Sequence, residues 1–253
     1  MTCFLSTIHL FALASAAGEN APKPPATQAS RRPELDDELR KAISSHKVEK
    51  VRSLLDQGAE VNPAGNEKGY SPLRDAVLAY DATIVELLLA SGADPNDRNQ
   101  GDLPLGCAAW FGRIDLIKLL MTHGAKAMPA GTGAMPWFLA VDSEKPEVLR
   151  CMIANGADAN AADKNGSTAL HRAAMAGSPQ LVRVLLDGGA DPKAKDRQGR
   201  TPIDSARDNL DDVRNKAGIN PEKAARRIHG IIAAIKLLED TSLTTRPSSG
   251  PSD

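Results

Sequence analysis

Aromatic side chains are scarce in this chain of 253 residues: four Phe, two Trp and two Tyr make up 3%. With few large rings and many Leu, Ala and Gly, the core must come from thin, closely packed helices. A basic excess is missing too, since 31 Lys and Arg face 32 Asp and Glu, giving a net charge of -1 and a pI near 6.5. That argues against a chain built mainly to hold nucleic acid, while leaving room for a local basic patch. Three cysteines are too few for a disulfide scaffold. The 42% of hydrophobic residues is too high for wholesale disorder, and the length allows one or two domains.

Residues 1–17, MTCFLSTIHLFALASAA, hold no Asp, Glu, Lys or Arg. Their apolar run is about fifteen residues, short of the roughly 20 that span a bilayer, so no stable membrane anchor is expected. Ala14-Ser15-Ala16 fits the A-x-A pattern of a cleaved signal peptide. No Lys or Arg precedes the run, which marks either a weak signal or a start further upstream, and no lipobox cysteine sits at the cleavage site. The favoured expectation is a periplasmic or secreted protein. A cytoplasmic protein with an apolar N-terminus is the alternative. Residues 18–33 are Pro/Ala-rich and read as a disordered linker, and residues 241–253 as a disordered tail. The folded part is expected at 34–240.

Within it a pattern recurs. Leu54-Leu55 precedes Gly58-Ala59, Leu88-Leu89 precedes Gly92-Ala93, and Leu120-Met121 precedes Gly124-Ala125. Met152-Ile153 precedes Gly156-Ala157, and Leu185-Leu186 precedes Gly189-Ala190. The glycines are spaced by 34, 32, 32 and 33 residues. A second element keeps the same beat: Ser71-Pro72-Leu73, Leu103-Pro104-Leu105, Met135-Pro136-Trp137, Thr168-Ala169-Leu170 and Thr201-Pro202-Ile203. Such a period marks stacked supersecondary units. In each, Thr-Pro or its equivalent starts a first helix, with Thr as cap and Pro in the first turn. The Leu-Leu pair buries a second helix, and Gly ends it in a left-handed conformation.

This pattern resembles the ankyrin-repeat family, most clearly in Asp163-Lys164-Asn165-Gly166-Ser167-Thr168-Ala169-Leu170-His171-Arg172-Ala173-Ala174. The resemblance implies an all-α solenoid of about six helix-turn-helix units with short β-hairpin-like loops. The expected divisions are an N-terminal cap at 35–65, repeats at 66–97, 98–129, 130–162 and 163–195, and a C-terminal cap at 196–240. The N-terminal cap carries Leu39, Ala42, Ile43, Val51, Leu54 and Leu55 at helical spacing. In the C-terminal cap an insertion around 208–220 delays the second helix. That helix, at 221–239, places Ile228, Ile231, Ile232, Ile235 and Leu238 along one face. Its Lys223, Arg226, Arg227 and Lys236 form either a site for an acidic surface or phosphate, or the solvated side of a cap.

Residues with catalytic or metal-binding spacing are not found. The five histidines form no H-E-x-x-H, and there is no G-x-S-x-G, P-loop or C-x-x-C. Gly131-Thr132-Gly133 is only a fragment of a nucleotide loop, placed where a repeat hairpin belongs. By the resemblance, His171 supports its own turn. Asp94, Asp158 and Asp191 recur with the period, so their role is architectural. Asn165-Gly166-Ser167 is formally a glycosylation acceptor, but Asn-Gly is more simply turn chemistry. Cys107 and Cys151 read as buried thiols, with a disulfide between them left open. No cofactor or metal is expected, and an enzyme or enzyme-supporting redox factor is the least favoured function.

The aromatics outside the N-terminal segment are Tyr70, Tyr80, Trp110, Phe111, Trp137 and Phe138, all in three successive units. Trp110 and Phe111 end a first helix, where the family faces its concave groove, and align with Leu78-Ala79, Asp142-Ser143 and Met175-Ala176. Tyr80 replaces the glycine kept at Gly112 and Gly177. Tyr70 is at a hairpin finger position equivalent to Asp102, Ser167 and Arg200. Trp137 takes a core position, and Phe138 fits either core or surface. Two readings of Trp110 and Phe111 stay open: interface anchors, or rings folded over the next repeat beside Asp142-Ser143. The expected binding residues are Trp110, Phe111, Tyr80, Leu78, Tyr70, Phe138, Met175, Asp102, Lys68 and Arg200. Glu67, Asn99, Gln100, Lys164, Asn165 and Arg197 join Lys68, Asp102 and Arg200 in a polar rim. The expected function is a non-enzymatic, monomeric module that binds a folded protein partner in its groove. The narrower alternative is an immunity or inhibitor protein that covers a secreted toxin or hydrolase.

Overall fold

The computed structural model describes residues 33–63, 71–97, 103–128, 136–215 and 221–244. Among them are twelve helices. The first six are α1 (Pro33–Ser44), α2 (Val48–Asp56), α3 (Pro72–Leu78), α4 (Ala82–Ala90), α5 (Pro104–Phe111) and α6 (Ile114–Thr122). The rest are α7 (Pro136–Asp142), α8 (Pro146–Ala154), α9 (Ala169–Ala176), α10 (Pro179–Asp187), α11 (Pro202–Asn215) and α12 (Pro221–Thr244). First helices stack on first helices (α1, α3, α5, α7, α9, α11) and second helices on second helices, so the fold is a two-layered all-α solenoid. Its hairpin character survives in one isolated antiparallel bridge, Ala162 to Thr168.

The local chemistry of each unit explains its helices. Ser71 Oγ accepts the Arg74 N–H and Pro72 opens α3. Thr201 and Asp204 cap α11 reciprocally: the Asp204 carboxylate accepts the Thr201 N–H at 2.9 Å, and the Thr201 hydroxyl oxygen accepts the Asp204 N–H at 3.4 Å. Leu103 starts α5 with no side-chain cap. Second helices α2, α4, α6, α8 and α10 run into Gly58, Gly92, Gly124, Gly156 and Gly189, whose φ values are 92, 89, 89, 89 and 85°. A side chain there would strain the left-handed turn that satisfies the last carbonyls.

One register fixes the spacing of the first helices. Ala76, Ala108, Ala140, Ala173 and Ala206 are completely buried, and Ala42 of α1 is 3% exposed. Nothing larger than a methyl fits where each helix meets its neighbours. The second-helix layer is filled by Leu54, Leu88, Leu120, Met152 and Leu185, all with no exposed surface.

A side-chain clamp joins successive units at the layer's outer turns. The Asn62 amide donates to Gly92 O at 2.7 Å and accepts the Asp94 N–H at 2.8 Å. Asn96 repeats this on Gly124 O and Lys126 N, and Asn160 on Gly189 O and Asp191 N. The equivalent place in the unit between is Met128, which packs against the core instead. The repeating Asp94, Asp158 and Asp191 each accept a backbone N–H two residues on, from Asn96, Asn160 and Lys193, so they are turn residues.

The C-terminal unit departs from the expected outline. The described part of the insertion continues α11 to Asn215, and residues 216–220 lie outside the described residues. The last helix runs to Thr244, past the boundary expected at 240. Ile231, Ala234 and Leu238 of α12 are buried, Ile228 and Ile235 partly so, but Ile232 is 46% exposed and lies off that face. The helix closes the end of α9: a Cβ on Gly230 would collide with Gly177 backbone.

Replacing Asn96 by Ala removes two inter-unit hydrogen bonds. The expected loss is about 1–2 kcal/mol of stability, measured by urea unfolding. A change below about 0.3 kcal/mol would show that the clamp only decorates the turn.

Candidate functional site

The sequence of α5, PLGCAAWF, has no charged or hydrogen-bonding side chain apart from one thiol and the indole. A helix apolar all round belongs in an interior. Three sides of α5 do find one, between α3, α7 and α6. The remaining side does not. Trp110 is 48% and Phe111 45% exposed. Leu78, in the same register on α3, is 36% exposed, and Tyr80 just beyond it is 42% exposed.

The rings are ordered by one another. Tyr80 and Phe111 meet edge to face, with centroids 5.7 Å apart and planes at 82°. The Arg113 guanidinium carbon lies 3.6 Å from the Tyr80 ring centroid. Lys145 Nζ reaches the Trp110 carbonyl at 3.4 Å. Phe111 therefore leans on the preceding unit, while half of each ring stays open.

Beside them lies a solvent-open hollow of about 380 Å³, lined by Arg74, Leu78, Gly106, Cys107, Trp110, Phe111 and Leu139. Gly106 makes room for it. Gly106 occupies the place on α5 that His171 occupies on α9, and a Cβ there would come within 2.8 Å of Leu139. At His171 itself, Nδ1 meets the Thr168 hydroxyl at 2.9 Å and the Thr168 N–H at 3.2 Å, while Nε2 lies 3.0 Å from Arg200 O. That histidine is a strut between two units, as its position suggests. The corresponding strut is absent on α5.

The acidic groups near the site are engaged. Burial pushes the Asp75 carboxyl above its usual pKa, against the lowering pull of Arg40 and Arg74. Asp142 pairs with Arg172 at 2.8 Å. Asp81 caps α4 through the Ile84 N–H and meets His46 Nδ1 at 3.0 Å, a cross-unit contact that spacing alone did not reveal.

One expected binding residue is buried, and another is paired within its own finger. Phe138 is only 6% exposed, beneath the Arg172 guanidinium 5.2 Å from its centroid, so it belongs to the core with the fully buried Trp137. Arg200 is held within its finger by Asp196, through Nε at 3.0 Å and Nη2 at 2.8 Å, with Asp208 at 3.4 Å from Nη1. Burial raises the Asp196 pKa, but hydrogen bonds from Arg200 and Gln198 outweigh it and leave the carboxyl below its usual value. Met175 is 46% exposed in the Trp110 register, with Asp142 in the unit between. Tyr70, Lys68 and Asp102 lie outside the described residues, as do Glu67, Asn99, Gln100 and Gly131-Thr132-Gly133. Asn165 O accepts the Arg197 N–H at 2.9 Å, so those fingers brace each other. Arg74, Arg113, Leu139 and Lys145 are site residues that the sequence reading missed.

Comparison with known proteins matches this architecture. A family model for ankyrin repeats in three copies fits residues 39–129 and 137–215. The chain belongs to the ankyrin-repeat family. The human 2-5A-dependent ribonuclease is 39% identical over 100 residues, which are 38% of this chain and 14% of the ribonuclease. Protein PhlB of Serratia liquefaciens is 42% identical over 77 residues, 30% of this chain and 34% of PhlB. The chain thus spans a minor part of these relatives. A crystal structure of an ankyrin repeat domain from Acinetobacter baumannii AYE superposes with a TM-score of 0.63 at 25% identity, covering 81% of this chain and 97% of that one. The human ASB11 ankyrin repeat domain superposes with a TM-score of 0.59 at 21% identity, covering 85% of this chain and 84% of that one.

An ankyrin array is typically a non-catalytic interaction module. Among the described residues, no three His, Cys, Asp or Glu side chains are grouped to hold a metal. No described helix is long and apolar enough to cross a membrane. Cys107 and Cys151 are both buried and are not joined in a disulfide, and burial pushes the Cys151 thiol pKa up.

One further left-handed position recurs, filled by Gly112 and Gly177 with φ 74 and 71° and by His46 and Glu144 with φ 53 and 55°. Tyr80 takes the same place with φ 59°, strained for a side chain of its size. Tyr80→Gly removes that strain along with the ring contacts, whereas Tyr80→Ala loses the contacts and keeps the strain. The Gly variant is expected to be more stable than the Ala variant by about 1 kcal/mol in thermal or urea unfolding. The opposite order would show that the turn is relaxed with any residue.

Proposed function

We propose that this protein binds a folded protein partner on the inner face formed by α3, α5 and α7, with Trp110 and Phe111 as anchors and Leu78 and Tyr80 beside them. One observation carries the reading: α5 is apolar on all sides, yet its Trp and Phe stand nearly half exposed. Leaving such rings in water gives nothing to the monomer, and large aromatics are the favoured anchors of interfaces. The rigid stack presents them preformed, so little ordering opposes association. Met175 extends the same register toward the C-terminal end. Tyr70, Lys68 and Asp102 are proposed rim contacts on the strength of their finger positions alone.

The uncharged N-terminal segment ending in Ala14-Ser15-Ala16 supports export, so the partner is sought in the periplasm or the secreted pool. Export and a preformed groove together favour one narrower version, in which the module shields a secreted toxin or hydrolase by covering its active site.

The test is cross-linking and pull-down from fractionated cells, with N-terminal sequencing of the recovered chain. The expected chain starts near Ala17, and the expected partner is lost, by at least about thirtyfold in affinity, with Trp110→Ala/Phe111→Ala. Recovery of the same partner by both forms would rule out this surface. A chain confined to the cytoplasm with its first residues intact would rule out export. Death of a deletion strain beside wild-type kin, rescued by the intact gene, would favour the shielding role.

A further inference from the structure

The proposed site is not only apolar; its rim is positive, in a chain whose net charge is -1. Arg74 lines the hollow, Arg113 lies over Tyr80, and Lys145 touches the Trp110 carbonyl. Among the described residues none of the three has an ion-pair partner. Most carboxylates nearby have other partners, although Asp75 also feels the Arg74 charge. Asp75 is beside Arg40 at 3.8 Å, Asp81 beside His46 and Asp142 beside Arg172. Glu144, next to Lys145 in sequence, is the exception, exposed on the loop between α7 and α8.

This asymmetry is local. The same registers on α7, α9 and α11 hold no lysine or arginine. The Trp110 position is Asp142 on α7 and Asp208 on α11, and the Arg74 position is Asp204 on α11. Asp204 and Asp208 are bonded to Thr201 and Arg200 respectively. Around α5 an apolar floor meets Arg74, Arg113 and Lys145, which have no ion-pair partner among the described residues.

Resting on the protein-binding reading above, we infer that the partner presents a short segment in which an aliphatic or aromatic side chain is flanked by Asp or Glu. The apolar side chain enters the hollow left by Gly106 and packs against Trp110, Leu78 and Leu139. The flanking carboxylates meet Arg74 and Arg113, whose guanidinium forks suit carboxylate oxygens. Lys145 adds a third positive charge at the far edge. Charge of this kind sets orientation and speeds encounter more than it adds affinity, so the apolar contact holds the segment and the cations select it.

The test uses the full chain, immobilised, to select from a displayed library of random twelve-residue peptides, with the Trp110→Ala/Phe111→Ala protein for counter-selection. The selected peptides are then synthesised and titrated against wild type, Arg74→Gln/Arg113→Gln and Arg74→Lys/Arg113→Lys. The inference expects enriched peptides with one large apolar residue and at least two acids within three positions of it. Their affinity should fall about fivefold to tenfold in the Gln protein, remain mostly intact in the Lys protein, and weaken between 50 and 500 mM salt by a similar factor. The Arg positions are exposed or half-exposed, so all variants should melt like wild type; a lower melting temperature in the Gln protein alone would assign the arginines to folding and overturn the inference. Enriched peptides that need Trp110 and Phe111 but are neutral or basic, and ignore the Arg substitutions, would overturn the inference and leave the binding surface standing. An absence of any peptide dependent on Trp110 and Phe111 would count against both.

Discussion

Everything in this molecule depends on how closely neighbouring first helices must approach. No unit can bury its own apolar face, because each is only two short helices and a turn. The alanine register running from Ala42 to Ala206 sets the distance at which the units stack, and every other feature is arranged around that seam. Glycines end the second helices tightly enough to return the chain for the next unit. Asparagine amides then tie one turn to the following one. The cost of a larger side chain at the seam would be shared by two interfaces at once, which is why the register tolerates no variation along six units.

The same constraint creates the site. Close stacking covers three sides of every first helix and leaves one side facing the groove. In the other units that side is mixed: Leu78 and Met175 stand exposed on α3 and α9, while Asp142 of α7 pairs with Arg172 and Asp208 of α11 with Arg200. On α5 it carries Trp110, Phe111 and the space left by Gly106. Tyr80 completes the patch from a left-handed backbone position that Gly112 and Gly177 fill in other units and that His46 and Glu144 share. The left-handed backbone there belongs to the repeat turn; what sets Tyr80 apart is its half-exposed ring, met edge to face by Phe111 and covered by Arg113. The groove side of the array therefore divides into a braced half, where His171 and the finger contacts lock units together, and an apolar, positively rimmed half available to a partner.

Much of this was visible in the residue order, because both the seam and the caps repeat at fixed intervals. The sequence aligned Tyr80 with Gly112 and Gly177 and put Trp110 and Phe111 at a helix end, but left open whether those two rings are exposed or folded over the next unit. What escaped was decided across units. Phe138 looked as free as Phe111 until Arg172, from the next unit, covered it. Arg200 looked like a rim residue until Asp196 held it within its own finger. Arg74 and Arg113 are ordinary charged residues in sequence, and only the geometry shows that they lack counterparts. The asparagine clamp could have been read, since Asn62, Asn96 and Asn160 each stand four residues after a repeat glycine. The extension of α11 to Asn215 had a faint signal too, in Ala206, Leu210 and Val213 at helical spacing, among the polar residues Asp208, Asn209, Asp211 and Asp212.

The two tryptophans allow the central claim, that α5 keeps its aromatic end uncovered in the free protein, to be measured directly. Trp137 has no exposed surface and Trp110 is 48% exposed. Single-tryptophan proteins made by Trp137→Phe and Trp110→Phe separate their signals in acrylamide quenching of fluorescence. The account predicts strong quenching and red-shifted emission when Trp110 alone remains, and protected, blue-shifted emission when Trp137 alone remains. Equal protection of both indoles in the monomer would mean that the groove is filled by the chain itself, and would contradict the account.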